Sequence, residues 1–221
     1  MLKNFCKAPD SSAAVGRLID SVLTLDCTGL NTSQQQDLAD VLPYLACGEA
    51  SAVHAFTGRL CQKLPEGTQA TLRAIAQDEM AHARLIEALQ ASLPSPQQAP
   101  HPARVAMFFR KLESSQPAEH LAHIAALDRA VCQLLHPLLA TSCAISRSPN
   151  LHRALCALRQ DEARHVNLAR SLARQMGMSQ SRQSALNRDI RQRLQWLLQP
   201  VSSALGRLAM PCVDQTPQEN T

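Results

Sequence analysis

Two short strings in this chain share one unusual pattern. "QDEMAH" at 77–82 and "QDEARH" at 160–165 are both Gln-Asp-Glu-x-x-His, 83 residues apart. Residues three apart lie on the same face of a helix. Glu79 with His82, and Glu162 with His165, therefore each offer a carboxylate and an imidazole to one point in space, a mixed oxygen–nitrogen donor set suited to a transition metal. Random placement of eight Glu and eight His in 221 positions gives about 0.3 such pairs, and two are present. The chemistry on offer is metal ligation.

The surrounding periodicity says where these residues point. Leu151, Leu155, Leu158, Glu162, His165, Ala169 and Leu172 follow alternating steps of four and three, so the Glu and His occupy an apolar helical stripe. Leu72, Ile75, Glu79, His82, Ile86 and Leu89 repeat the arrangement. A third stripe, Leu38, Leu42, Leu45, Glu49, Ala52 and Phe56, puts Glu49 inward, and a fourth, Leu121, Ile124, Asp128, Val131, Leu135 and Leu138, does the same for Asp128. Taking a lone carboxylate out of water costs several kcal/mol unless something compensates it. No Lys or Arg lies on these stripes, so a multivalent cation is the simplest counter-charge for four converging acids. Asp78 and Asp161, four residues before His82 and His165, are placed to accept from the outer ring nitrogen of the His on their own helix.

These residues require four long helices. The pattern predicts helices over about 35–63 (with Pro43 kinking or restarting it), 68–93, 117–142 and 151–176, the last ended by Gly177. A short helix is expected near 104–113 after the Pro-rich "PSPQQAPHP", and a basic one near 184–198. "LPEG" at 64–67 and "AISRSPN" at 144–150 read as the turns of two hairpins, whose long connection implies a crossover. The organisation read from this is an N-terminal extension (1–32), a metal-binding bundle (33–178), a C-terminal capping helix region (179–210) and a disordered tail (211–221).

Composition agrees with an all-α fold. Apolar residues make up 45% of 221 positions while Gly and aromatics are scarce, which favours Leu- and Ala-rich helix packing over sheets. The net charge of +4 is spread over helix faces, with no nucleic-acid signature and no run long enough for a membrane span. Eight cysteines without a Cys-x-x-Cys pair read as free thiols, hence a cytoplasmic setting. His54, His120, His123, His136 and His152 fall off the stripes and are expected at the surface or rim, and Tyr44 is expected to pack.

On these residues the chain resembles the ferritin-like di-metal carboxylate superfamily, in which two helices each give one acid and two give Glu-x-x-His. "DEARH" at 161–165 is similar to the Asp-Glu-x-Arg-His pattern of its oxygen-activating di-iron oxidases and oxygenases. Iron-storage ferritins carry one Glu-x-x-His, and the rubredoxin-type Cys pairs of rubrerythrins are missing here. The resemblance implies a four-helix bundle with a long crossover, plus extra terminal helices. It makes Glu49, Glu79, His82, Asp128, Glu162 and His165 both the metal ligands and the catalytic set. Asp128 departs from the Glu usual at that position. The implied cofactors are two Fe ions, with Mn as the alternative, and O2 as co-substrate. The implied activity is hydroxylation, N-oxygenation, desaturation or oxidative cleavage of a small organic molecule, fed by an external electron donor. The basic C-terminal helix is expected to cap the bundle by default, with a homodimer face or a binding site for an acidic carrier as the alternatives. The competing expectations are a ferroxidase or iron-handling protein, separable by assembly into a large oligomer, and a helical scaffold without metal.

Overall fold

The computed structural model describes residues 14–16, 27–58 and 60–211. Among them all regular structure is helical: α1 (Thr32–Thr57), α2 (Glu66–Ala91), α3 (Pro102–Arg110), α4 (Pro117–Leu138), α5 (Pro149–Gln175), α6 (Gln180–Leu197) and α7 (Ser202–Ala209), with 3₁₀ turns at Cys61–Lys63, Ala144–Arg147 and Gln199–Val201. Helices α1 and α2 pack as one hairpin and α4 and α5 as another, with α6 along α4 and α7 along α1. No helix of the described residues is long and apolar enough to cross a membrane. The tail at 212–221, and the amphipathic N-terminal piece except for a helical fragment at 14–16, lie outside the described residues.

Local chemistry sets the helix ends. Asn31 and Gln34 form a reciprocal capping box that starts α1. Pro43 stays inside α1 without ending it, but the helix stops at Thr57 instead of 63, because Gly58 turns extended (φ −61°, ψ 168°) and the chain tightens into a 3₁₀ turn. Helix α4 stops at Leu138, earlier than the expected 142, just after Pro137, which cannot donate to the ladder. Gly177, at φ +93°, closes α5: its N–H donates to Arg174 O and that of Met178 to Ala173 O, satisfying carbonyls the helix leaves open. Ser179 then caps α6 and starts it four residues earlier than the periodicity suggested. The Pro-rich connection is fastened to α1, since Asp40 accepts the backbone N–H of Gln97 (2.6 Å) and Gln98 (3.2 Å).

The core comes in two pieces. One gathers Leu42, Leu45, Ile86, Leu135 and Leu158; the other gathers Phe56, Leu72, Ile75, Leu121 and Ala173. In each of α1, α2, α4 and α5 the buried acid falls between a residue of the first group and one of the second. A polar layer thus crosses the apolar interior at one level, held from both sides by packed Leu, Ile and Phe.

Candidate metal centre

All six sequence-selected residues meet in that layer. Glu49, Glu79, His82, Asp128, Glu162 and His165 are each at most 5% exposed. Glu49, Glu79, His82 and Glu162 each bring a ligand atom within 4.8 Å of the others, and Asp128, Glu162 and His165 do likewise. Glu162 belongs to both sets. Glu79 also reaches both histidines, 3.5 Å from His82 Nδ1 and 2.8 Å from His165 Nδ1. The arrangement is two half-sites joined by two carboxylates, with Glu49 and His82 at one end and Asp128 and His165 at the other. The imidazoles stack with centroids 5.7 Å apart.

The donor atoms fit a cation better than they fit each other. Glu79 Oε1, Asp128 Oδ2 and His165 Nδ1 are buried and make no hydrogen bond. The first and last of these lie 2.8 Å apart without aiming at one another. Orphaned buried polar atoms cost about 1–3 kcal/mol each, and a shared ion would satisfy all three. Protonation tells the same story. Burial pushes Asp128 well above the usual carboxylate range, and the charges of Glu162, Glu79 and Glu49 add to it. Burial also raises Glu49 and Glu162. Burial works the same way on Glu79, but the contacts with His165 and His82 outweigh it and hold that carboxyl below its usual range. Against burial, Asp161 and three glutamates raise His82, and Asp78 and Glu79 lift His165 to about 9. Protons thus hold the acids apart where a metal could replace them.

The outer carboxylates pair crosswise, which corrects the same-helix expectation. Asp161 on α5 accepts from His82 Nε2 of α2 at 3.4 Å, and Asp78 on α2 accepts from His165 Nε2 of α5 at 3.2 Å. An imidazole extends away from its own helix, so its far nitrogen ends beside the opposite helix, not four residues back. Arg164 then donates to both acids, 2.5 Å from Asp78 and 3.2 Å from Asp161. Asp161 also accepts the backbone N–H groups of Ala14 (2.9 Å) and Val15 (3.0 Å). Arg164 was visible only as the Arg of "DEARH", and the N-terminal amides left no signal in the side-chain pattern.

An apolar cavity of about 50 Å³ ends on the layer. Glu49, Glu79, Asp128 and Glu162 form its polar end; Leu127, Val131, Leu134 and Tyr44 line its walls. It is covered by Phe108 and Phe109 of α3 and by Leu194, Leu197 and Leu198 around the end of α6. Arg104 stacks on Trp196 at 4.0 Å and donates to its carbonyl, tying the two covering helices together. The cover was legible only as a capping helix; the phenylalanines of α3 carried no periodic signal. None of the off-stripe histidines enters the layer: His120, His123 and His152 engage backbone carbonyls, and His54 and His136 are exposed. Tyr44 packs against the core and also faces the cavity.

A helical chain with such a buried acid and histidine cluster is compatible with a ferritin-like fold and able to hold a metal ion. Comparison with known proteins returns no matching family, no matching curated protein and no matching solved structure.

Proposed function

We propose that the chain is a ferritin-like di-iron oxygenase or oxidase that uses O2 on an organic substrate with an apolar end. The single observation that carries this reading is the apolar cavity ending on four carboxylates of the six-residue layer. An apolar chamber beside the metals suits an enzyme that admits an organic group better than a protein that only stores or oxidises iron. A volume near 50 Å³ holds only a few water-sized groups, so a substrate would insert a short alkyl tip and keep its remainder outside.

Glu49 and His82 would hold one ion, Asp128 and His165 the other, with Glu79 and Glu162 between them. Bound there, two irons (manganese being the alternative) supply reductive activation of O2. For a hydroxylation the balance is one C–H bond and O2, with two electrons and two protons from outside, giving one C–OH bond and water. The chain's own work is placement and exclusion of water. Asp78 and Asp161 fix the imidazole orientations, and Arg164 holds both acids. The Leu, Val and Phe side chains keep bulk water from the reacting end.

The deciding experiment loads the protein anaerobically with Fe(II), counts metal per chain and mixes it rapidly with O2, beside the double variant Glu162→Ala, His165→Ala. About two irons per chain, with a transient absorption that the variant lacks and that decays faster with an apolar substrate, is the expected result. Substoichiometric metal with no oxygen-dependent signal would sink the reading. Substrate-independent oxidation by a large symmetric oligomer would turn it into iron handling.

A further inference from the structure

A second concavity lies on the other side of α4 and belongs to nothing described so far. It is an open groove of about 740 Å³ along the outer seam of α4 and α5. From Cys156 to Arg170 it follows fourteen steps of α5, about 21 Å at 1.5 Å per residue. Its charged residues are all arginines: Arg129 and Arg170 towards one end, Arg159 towards the other, with no acid among the lining. The middle is neutral, with Gln133, Gln160 and Asn167 above Ala163 and Val166.

Among the described residues none of these three arginines forms an ion pair with an acid. Arg170 has a buried Nε with no hydrogen-bond acceptor, and burial, with the charges of Arg174 and Arg129 beside it, lowers its guanidinium below the ordinary value. Arg159 donates to His136 Nδ1 at 2.9 Å, a neutral acceptor where an acid is the usual partner. Three arginines with no acid in the lining make the groove positive, and arginine is enriched where protein surfaces recognise partners. The groove floor also adjoins the polar layer. Cys132 lies one turn from Asp128, and its thiol is pushed up to about 12 by burial and then by Glu162 and Asp128.

We propose that this groove docks the acidic face of a one-electron donor protein, the partner that the oxygenase reading requires and on which this inference rests. Placement argues for a redox partner over a substrate. Leu127, Val131 and Leu134 line the cavity while Arg129, Cys132, Gln133 and His136 line the groove. A protein seated in the groove would therefore leave the cavity and its cover clear. Only one helix layer, about 10 Å thick, separates it from Asp128, Glu162 and His165. Two encounters would deliver the two electrons of one turnover. Charge complementarity of this kind sets association rates and makes them fall with salt.

The test uses a reduced acidic [2Fe–2S] ferredoxin as probe and the double variants Arg159→Gln, Arg170→Gln and Arg159→Lys, Arg170→Lys. Docking is read on the metal-free chain by anisotropy of labelled ferredoxin, and electron transfer on the iron-loaded chain by rapid mixing, with reduced methyl viologen as a donor too small to need docking. The expected result is binding that weakens at least tenfold in the Gln pair and in high salt and recovers in the Lys pair. Reduction by ferredoxin should follow it while viologen reduction stays unchanged. Absence of ferredoxin binding, or equal binding and reduction in the Gln pair, overturns the groove. Failure to take up metal, with docking intact, instead removes the oxygenase reading and leaves an acidic-protein site.

Discussion

Arg164 acts on the layer without belonging to it. Its guanidinium holds Asp78 and Asp161 together, and removing it takes away their shared cation, leaving Asp78 with His165 and Asp161 with His82 and the Ala14 and Val15 amides. Arg164→Gln should lower metal affinity on the order of 10–100-fold, read by competition with a chromophoric chelator, while Arg164→Lys restores charge but not the fork and falls between. Protonation gives a second expectation, with opposite signs for the two forms. His165, at about 9 in the folded chain, binds its proton more tightly than in an unfolded one, where it titrates at about 6.5. Its contribution to the metal-free fold is complete below pH 6.5 and disappears as pH rises through 9. The raised Asp128 and Glu49 act in the same direction. Metal must displace those protons, so affinity should rise over the same window. Urea midpoints measured from pH 6 to 9, with and without metal, should diverge; parallel curves would contradict it. The six layer residues were readable because side-chain type and helical period both marked them. The crosswise pairing was not, because period reports which face a residue occupies and says nothing of which helix lies opposite.

Among the elements, α1 carries the most exposed design choice. Gly48 sits in mid-helix beside Glu49, lines the cavity, and has open space where a Cβ would go. Gly48→Leu should strengthen the helix by about 1 kcal/mol yet fill the cavity. Metal content should stay unchanged, and substrate-dependent turnover should fall at least tenfold. Turnover unaffected by the Gly48→Leu substitution would place the substrate elsewhere. Two other glycines form a contrasting pair. Gly177→Ala forces a side chain into the left-handed region and should cost about 1–2 kcal/mol, whereas Gly206→Ala in α7, with free space and helical backbone, should gain about 0.4–1 kcal/mol. Chemical denaturation of the two variants checks both signs. The helices were legible because Leu and Ala stripes repeat over many turns. Their ends were less so: Gly58 and Ser179 act through backbone geometry and one side-chain hydrogen bond, neither of which has a period.

For the whole molecule, the polar layer should couple metal binding to stability. It divides the apolar interior and keeps unsatisfied atoms at its centre. An ion that binds only the folded chain adds about 2.7 kcal/mol at a hundred times its Kd, so Fe(II) or Mn(II) should raise the melting temperature by roughly 5 °C or more and a chelator should reverse it. Identical melting curves would argue against a built site. One contact also ties this layer to the order in which the chain is made. Ala14 and Val15 grip Asp161 across 147 residues of sequence. At about 5–20 residues per second on a ribosome, the Ala14–Val15 segment waits roughly 7–30 s for its anchor to be synthesised. The candidate metal centre therefore cannot be completed hairpin by hairpin during translation. The Ala14 and Val15 fastening is complete only once Asp161 has been made, and its loss would be felt at His82, which Asp161 orients.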